Sequence, residues 1–301
     1  MSVFEAFFQG LIQGLTEFLP VSSSGHLSLF QYFTGNNSET GFVFSILLHA
    51  GTLIAVCIVF WRTIVSLIAE AFSLIGDLFS RRFSTRDMRP ERRMLLFLLL
   101  SVCLGMALLF GYELLHIIRW IFTHKKWVMV LIKDHISAFS TDNDITVEGL
   151  CFLFTGILLT WASRHDRGRK DASNMKAKDA VAVGVAQVVA TMPGISRSGS
   201  TICTGMLWGL RREFAVSYSF ILGIPAVLGA IVLEIPDAVS EGTTLPLPVI
   251  LTGLISSAVF GVLAIKLVQW VVKGNKLRYF GWYTLALGTV VLIIGTIDNF
   301  T

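Results

Sequence analysis

Six stretches of the chain are apolar with so little interruption that each can cross a bilayer: about 42–61, 94–118, 147–163, 215–234, 247–270 and 277–297. A helical span needs roughly 17–25 mostly apolar residues, so the pattern predicts six transmembrane helices, the third being the shortest. Two more stretches, about 3–33 and 180–210, are apolar but broken in the middle. The breaks are Pro20-Val21-Ser22-Ser23-Ser24-Gly25 and Pro193-Gly194-Ile195-Ser196-Arg197-Ser198-Gly199. Each flank is too short to span, which predicts a re-entrant hairpin: helix in, turn at mid-depth, helix out. Such a turn needs protein or water around it, because lipid cannot satisfy its backbone polar groups. Residues 119–146 mix Trp120, Phe122 and Trp127 with His124, Lys125, Lys126 and Lys133, a pattern that predicts an amphipathic segment at the outer interface.

An ungapped shift of 174 positions superposes the two broken stretches. Gly10 meets Gly184, Gln13 meets Gln187, and Ser22, Ser24 and Gly25 meet Ser196, Ser198 and Gly199. Gly35, Glu39, Ser45 and Leu48 meet Gly209, Glu213, Ser219 and Leu222, and His49 falls on Gly223. Polar and glycine matches in one register are the mark of a repeat. The expected fold is an all-α integral membrane protein, six spans plus two re-entrant hairpins, in a single membrane domain. Repeat 1 covers about 3–163 and repeat 2 about 180–297, joined by a basic cytoplasmic linker at about 164–178. Three spans per repeat is an odd number, so the second copy is inverted. Inverted repeats with broken helices put their binding site near the midplane, where the interruptions meet.

Composition agrees with a bilayer as solvent: 54% of the 301 residues are hydrophobic and 15% charged, against about 25% charged in soluble domains. The net charge of +4 matters less than its distribution. Arg62, Arg81, Arg82, Arg86, Arg89, Arg92 and Arg93 lie in the 62–93 loop. Arg164, Arg167, Arg169, Lys170, Lys176 and Lys178 lie in the linker, and Lys273, Lys276 and Arg278 in the last turn. With six spans all three loops share one side, and the positive-inside rule then puts both termini outside. No polar domain interleaves basic and aromatic residues, which excludes a nucleic-acid partner. Cys57, Cys103, Cys151 and Cys203 have neither disulfide nor metal spacing and read as buried apolar residues.

The chemistry gathers at the two breaks. Glu5, Gln9, Gln13 and Glu17 recur every fourth residue, forming one polar stripe on an apolar helix. Glu17 is the deepest. A carboxylate there costs on the order of 3 kcal/mol on insertion scales, so it should face a cavity, a cation or Arg197. Arg197 stands at a helix start, with a planar fork suited to phosphate oxygens and free N–H groups that add an anion site. Ser22, Ser24 and Gly25 on one side, and Ser196, Ser198, Gly199 and Thr201 on the other, are candidate pyrophosphate contacts. For the serines, helix capping is the competing role. His26 is a candidate acid, base or nucleophile. Glu17, with Gln13 as a neutral oxygen donor, could hold a divalent cation, Mg²⁺ or Ca²⁺, bridging phosphate oxygens.

The run Gln13-Gly-Leu-Thr-Glu17-Phe-Leu-Pro-Val-Ser-Ser-Ser-Gly-His26 resembles the first signature of the undecaprenyl-pyrophosphate phosphatases linked to bacitracin resistance, including its (Glu/Gln)-x-x-x-Glu element. The run Pro193-Gly-Ile-Ser-Arg197-Ser-Gly-Ser-Thr201 resembles the second. The resemblance implies hydrolysis of undecaprenyl pyrophosphate, with a divalent cation, at the outer face of a bacterial plasma membrane. It also implies a fold of six spans and two re-entrant helix pairs. Glu17, His26 and Arg197 are the implied catalytic residues, followed by Ser23, Ser196 and Thr201. The nucleophile within the family has been assigned both to the residue matching His26 and to that matching Ser23. Gln13 takes the amide option of the first element, and the 119–146 stretch is longer than in the family. A homodimer is a candidate assembly. Inverted repeats are equally typical of transporters, so a lipid or small-molecule transporter or flippase is the rival reading. A non-hydrolytic scaffold that binds lipid pyrophosphate is a second.

Overall fold

Ser2 starts the first helix with a capping box: its hydroxyl accepts from the Glu5 N–H and the Glu5 carboxylate accepts from the Ser2 N–H. The helix, α1 (Val3–Phe18), stops where Leu19 turns extended ahead of Pro20. Its 16 residues reach about 24 Å, short of the ~30 Å hydrocarbon core. The chain re-enters helix at α2 (Ser23–Thr34). The computed structural model describes residues 1–34, 40–81, 88–123, 145–165, 168–192, 194–240 and 245–300. Among them the remaining helices are α3 (Thr40–Val59), α4 (Trp61–Phe79), α5 (Pro90–Thr123), α6 (Thr146–His165), α7 (Ala177–Val189), α8 (Arg197–Leu207), α9 (Arg212–Ser240), α10 (Leu247–Lys273) and α11 (Arg278–Phe300). Among the described residues no strand accompanies them beyond an isolated bridge between Lys170 and Leu210.

Each broken stretch is thus a pair of short helices, and each long apolar stretch centres on one long helix, although the first, 42–61, runs past the end of α3 into the start of α4. Among the described residues α6, α10 and α11 are individually long and apolar enough to cross a membrane. A fourth span results if α3 and α4 are counted together across their 86° bend. Large apolar side chains face outward along α10 (Leu251, Ile255, Val259, Leu263, Leu267) and α11 (Val290, Ile293, Ile297), while Gln13, Glu17, Thr155, Asp179 and Ser257 are buried. In water the outward faces would be an aggregation hazard; in lipid they are solvated. Lys276 lies over the Trp270 ring, and Arg278 lies beside Tyr279 and Trp282, an aromatic and basic girdle of the kind that marks a membrane interface.

The 62–93 segment is more ordered than a loop. Its arginines crowd after position 80, leaving Trp61–Phe79 to form α4. Trp61, Val65, Ile68, Phe72, Ile75 and Phe79 make an exposed apolar stripe on it. The opposite side is tied to α5: Glu70 accepts from Arg89 (3.3 Å) and Arg92 (3.0 Å), and Asp77 accepts from Arg92 (2.6 Å). The linker is also fixed, since Lys170 Nζ donates to Asp179 and to the Trp208 carbonyl, each at 2.8 Å. Of the cysteines, Cys151 and Cys203 are buried as expected, but Cys103 is exposed on α5, where an apolar thiol suits lipid as well as protein. The expected interfacial segment falls largely at 124–144, outside the described residues.

The helix pairings cross the chain. The first hairpin helix, α1, lies along α10, and the corresponding helix α7 lies along α5. The pairs α3–α10 and α6–α11 complete the main contacts. Glycines set the approach. A Cβ on Gly14 would sit 2.5 Å from the Ser257 carbonyl oxygen and 2.9 Å from the Gly261 nitrogen. On α6–α11, a Cβ on Gly149 would sit 2.8 Å from the Leu292 nitrogen, and one on Gly288 2.8 Å from the Gly149 oxygen. Small residues that let backbones meet are the usual glue of helices in lipid. The obstacle to a Cβ at Gly14 is backbone, so the helices must separate. Gly14→Ala is expected to cost about 1–3 kcal/mol in reversible unfolding from mixed detergent–SDS micelles. Gly76→Ala, with nothing within 4 Å of its Cβ, is expected to be neutral or to stabilise by about 0.5–1 kcal/mol.

Candidate active site

The two interruptions touch. Glu17, at the last turn of α1, is 8% exposed, and its carboxylate takes three donors. Oε1 accepts from Arg197 Nη2 at 2.5 Å, and Oε2 accepts from Ser23 Oγ at 2.7 Å and Gln13 Nε2 at 3.0 Å. Residues 180 positions apart in the chain are thereby joined by a charged contact. Arg197 opens α8, and its second amino group donates to the Gly223 carbonyl on α9 at 3.2 Å. A Cβ at Gly223 would lie 2.8 Å from that nitrogen, so the glycine makes room for the guanidinium.

Local backbone chemistry explains the rest of the turns. Ser22 has φ of 73°, a left-handed conformation uncommon outside glycine and often found where function requires it. Its hydroxyl accepts from the Gly25 N–H (3.3 Å) at the start of α2. Ser24 accepts from the Gly194 N–H (3.1 Å), and Ser198 donates to the Leu19 carbonyl (3.3 Å), so each turn is stitched to the other. Ser196 is the N-cap of α8 and accepts from the Gly199 N–H at 3.0 Å. Its own N–H donates to Thr155 Oγ1 on α6. Thr201 donates to the Arg197 carbonyl and lies 2.5 Å from Ser219 Oγ. In this arrangement Ser196 and Thr201 brace the backbone that carries Arg197. Pro193 lies outside the described residues.

His26 does not join the cluster. Its Nδ1 is 2.7 Å from the Ser22 carbonyl, its Nε2 is 2.7 Å from Tyr283 Oη on α11, and its ring stands edge-on to Phe152. The imidazole nearest Glu17 belongs to His49 on α3, with Nε2 4.0 Å from Oε2. Of the expected guanidinium, carboxylate and imidazole, the first two are in contact, and the imidazole within 4.0 Å of Glu17 is that of His49. His26 sits three residues into α2, and the helical turn carries its ring toward α11. His49 and Tyr283 gave no sequence signal beyond a polar atom inside an apolar stretch. The register that pairs position 49 with position 223 was the clue available for His49.

A cavity away from this cluster is also present. A groove of about 640 Å³ runs between α6, α7 and α8, lined by Phe154, Leu158, Val181, Val185, Val189 and Trp208 among others. It is apolar and contains none of the charged cluster, so it offers no chemistry of its own. The donors around Glu17 bear on a divalent cation. The Gln13 side-chain oxygen is buried without a partner, and one carboxylate lies beside it. No group of three or more His, Cys, Asp or Glu suited to a metal exists among the described residues. One carboxylate plus one orphan amide oxygen fits a hard cation whose other ligands come from substrate phosphate and water.

These features define a multi-pass helical membrane protein with a carboxylate–guanidinium–hydroxyl cluster between two half-length hairpins. A family model for the bacitracin resistance protein BacA matches residues 6–290, and the chain belongs to that family. A relative from Methanosphaera stadtmanae named undecaprenyl-diphosphatase is 35% identical over 99% of this chain and 99% of its own. Relatives of the same name from Alkaliphilus metalliredigens and Treponema denticola are 35% and 36% identical, covering 97% and 96% of this chain and 98% and 96% of theirs.

The ion pair itself is testable. Removing one member of a buried pair leaves the other uncompensated and costs about 3–5 kcal/mol. Glu17→Gln and Arg197→Met are each expected to destabilise the protein strongly in micelle unfolding. The double variant is expected to lose less than the sum of the two.

Proposed function

We propose that this protein hydrolyses undecaprenyl diphosphate to undecaprenyl phosphate and inorganic phosphate, returning a lipid carrier to peptidoglycan synthesis and conferring bacitracin resistance. Full-length similarity to relatives named undecaprenyl-diphosphatase supports the substrate. The observation that carries the chemistry is Glu17 Oε2 accepting from Ser23 Oγ while Oε1 holds Arg197. A nucleophile, a proton acceptor and an anion-binding cation share one carboxylate.

Ser23 is the nucleophile in this reading, because its hydroxyl is directed at Glu17, whereas both ring nitrogens of His26 are engaged by Ser22 and Tyr283. The anionic diphosphate draws Arg197 into contact with its terminal phosphate, which frees Glu17 to accept the Ser23 proton. Ser23 Oγ bonds to the terminal phosphorus, and the P–O bond to undecaprenyl phosphate breaks. Glu17 passes that proton to the departing phosphate oxygen; water then attacks the phosphorus and returns a proton to Ser23 Oγ as the serine P–O bond breaks and inorganic phosphate leaves. Arg197 and the start of α8 neutralise charge on the transferred group, an electrostatic role of the sort that dominates phosphoryl transfer. Glu17 and the Gln13 oxygen would hold the divalent cation, Mg²⁺ or Ca²⁺, which supplies charge neutralisation to the phosphate oxygens when bound.

In the bilayer we read α3, α5, α6, α9, α10 and α11 as six spans, and α1–α2 and α7–α8 as re-entrant hairpins of an inverted repeat. The matched pairings α1–α10 and α7–α5 support it. The basic loops face the cytoplasm, both termini lie outside, and the cluster opens toward the outer face of the plasma membrane, with the isoprenoid tail leaving sideways into lipid.

Phosphate release by the purified protein from C15 and C55 diphosphates, with and without chelator, tests the reading. Arg197→Ala is expected to lower the rate more than tenfold, since losing one preorganised charge-stabilising donor costs about 2.7–4 kcal/mol. Near wild-type turnover in that variant would refute the role given to Arg197. A transporter would move the lipid across vesicles without releasing phosphate.

A further inference from the structure

We propose that His49 is a nitrogen ligand at the cation position beside Glu17, which makes the site selective for metals that accept imidazole. The inference rests on the reading that Glu17 and Gln13 bind a divalent cation with the substrate. It goes beyond that reading by adding a third protein ligand from α3, outside both signature runs.

The tautomer comes first. His49 Nδ1 lies 2.9 Å from the Ser45 carbonyl oxygen. A carbonyl only accepts, so Nδ1 carries the proton, and Nε2 of the neutral ring presents a lone pair. That lone pair sits 4.0 Å from Glu17 Oε2, a distance too long for a hydrogen bond. In the neutral ring that lone pair and the carboxylate oxygen face one another across a gap that a cation can bridge. A cation with ligand bonds of about 2.0–2.3 Å accommodates donors this far apart at a wide ligand–metal–ligand angle. Metal-binding histidines characteristically give their other ring N–H to a carbonyl or carboxylate, which fixes the ring. Both His49 and His26 place Nδ1 on a carbonyl, but only His49 leaves Nε2 without a hydrogen-bond partner, since His26 Nε2 already faces Tyr283 Oη at 2.7 Å.

Two further observations point the same way. The Gln13 side-chain oxygen is 0% exposed at the residue level and has no partner, and its amide nitrogen touches the same Glu17 Oε2 that His49 faces. Rotation of that amide would put the orphan oxygen toward the carboxylate, an arrangement that only a cation makes favourable. Position 49 also corresponds to position 223 in the repeat register, and the Gly223 carbonyl holds Arg197. The equivalent helices α3 and α9 thus each bring, from one register position, a partner to the charged residue of a hairpin. His49 is one-third exposed at its side chain, so an ion can reach it.

Oxygen-only sites suit Mg²⁺ and Ca²⁺, while imidazole favours transition metals. The test is Mn²⁺ titrated into the full-length protein in nanodiscs with methylenediphosphonate, read by electron paramagnetic resonance. The wild type is expected to show ¹⁴N hyperfine coupling to bound Mn²⁺. His49→Ala is expected to abolish the coupling and weaken Mn²⁺ about tenfold or more. Ca²⁺ competition should change less than about threefold in the variant, which also reports an intact fold. Mn²⁺ binding that depends on Glu17 but shows neither ¹⁴N coupling nor any loss in His49→Ala overturns the role of His49 alone. Absence of Mn²⁺ binding, or binding that Glu17→Gln leaves unchanged, overturns the cation reading and this proposal together.

Discussion

The contact between Glu17 and Arg197 is the constraint around which the molecule is built. A carboxylate buried at the end of a short helix in a membrane protein is costly by itself, and so is a guanidinium. Each becomes tolerable only where the other supplies opposite charge and hydrogen bonds. Because they sit on different helix pairs, the turns of both pairs must meet. The glycine-lined seams, the cross-links from Ser24 to Gly194 and from Ser198 to Leu19, and the space left at Gly223 all serve that meeting. Once formed, the pair holds the guanidinium at the junction of the two turns, its donors fixed by Glu17 and the Gly223 carbonyl.

Much of this was legible in the sequence. Uninterrupted apolar stretches mark the long helices, and a proline beside Ser/Gly clusters marks the breaks, because these are direct consequences of what lipid permits. The pairing of Glu17 with Arg197 could be anticipated from the cost of leaving either alone. Side-chain direction was harder to read. His26 lies within the signature run, yet three residues of helix turn its ring onto Tyr283, and nothing in a one-dimensional pattern reports that rotation. His49 was the opposite case, an isolated polar residue in an apolar helix whose significance depends on which neighbour its helix faces. α4 was hidden for another reason: the arginines flanking it dominate the composition of 62–93 and obscure the apolar stripe between them.

The serines illustrate how one residue type divides its labour. Ser196 caps α8, Thr201 braces its first turn, Ser22 holds a left-handed bend, and Ser23 alone has its hydroxyl on the Glu17 carboxylate. A cluster that reads in sequence as a set of phosphate contacts is, in space, a frame of capping and bracing hydrogen bonds around the contact of Ser23 with Glu17. The frame matters as much as the contact, since phosphoryl transfer depends on fixed geometry more than on the number of donors offered.

The reciprocal leaning of α1 on α10 has a consequence for biogenesis. Ribosomes deliver the N-terminal hairpin first, but the helix that covers it begins at Leu247, well over two hundred residues later. At roughly 5–20 residues per second, the polar stripe of α1 waits tens of seconds without its permanent neighbour, and Glu17 waits nearly as long for its counter-charge. During that interval the stripe must be sheltered by the insertion machinery or rest near the headgroups. Final seating of the first hairpin is therefore among the last events of assembly, and a truncated chain lacking α10 would leave its opening segment without a home.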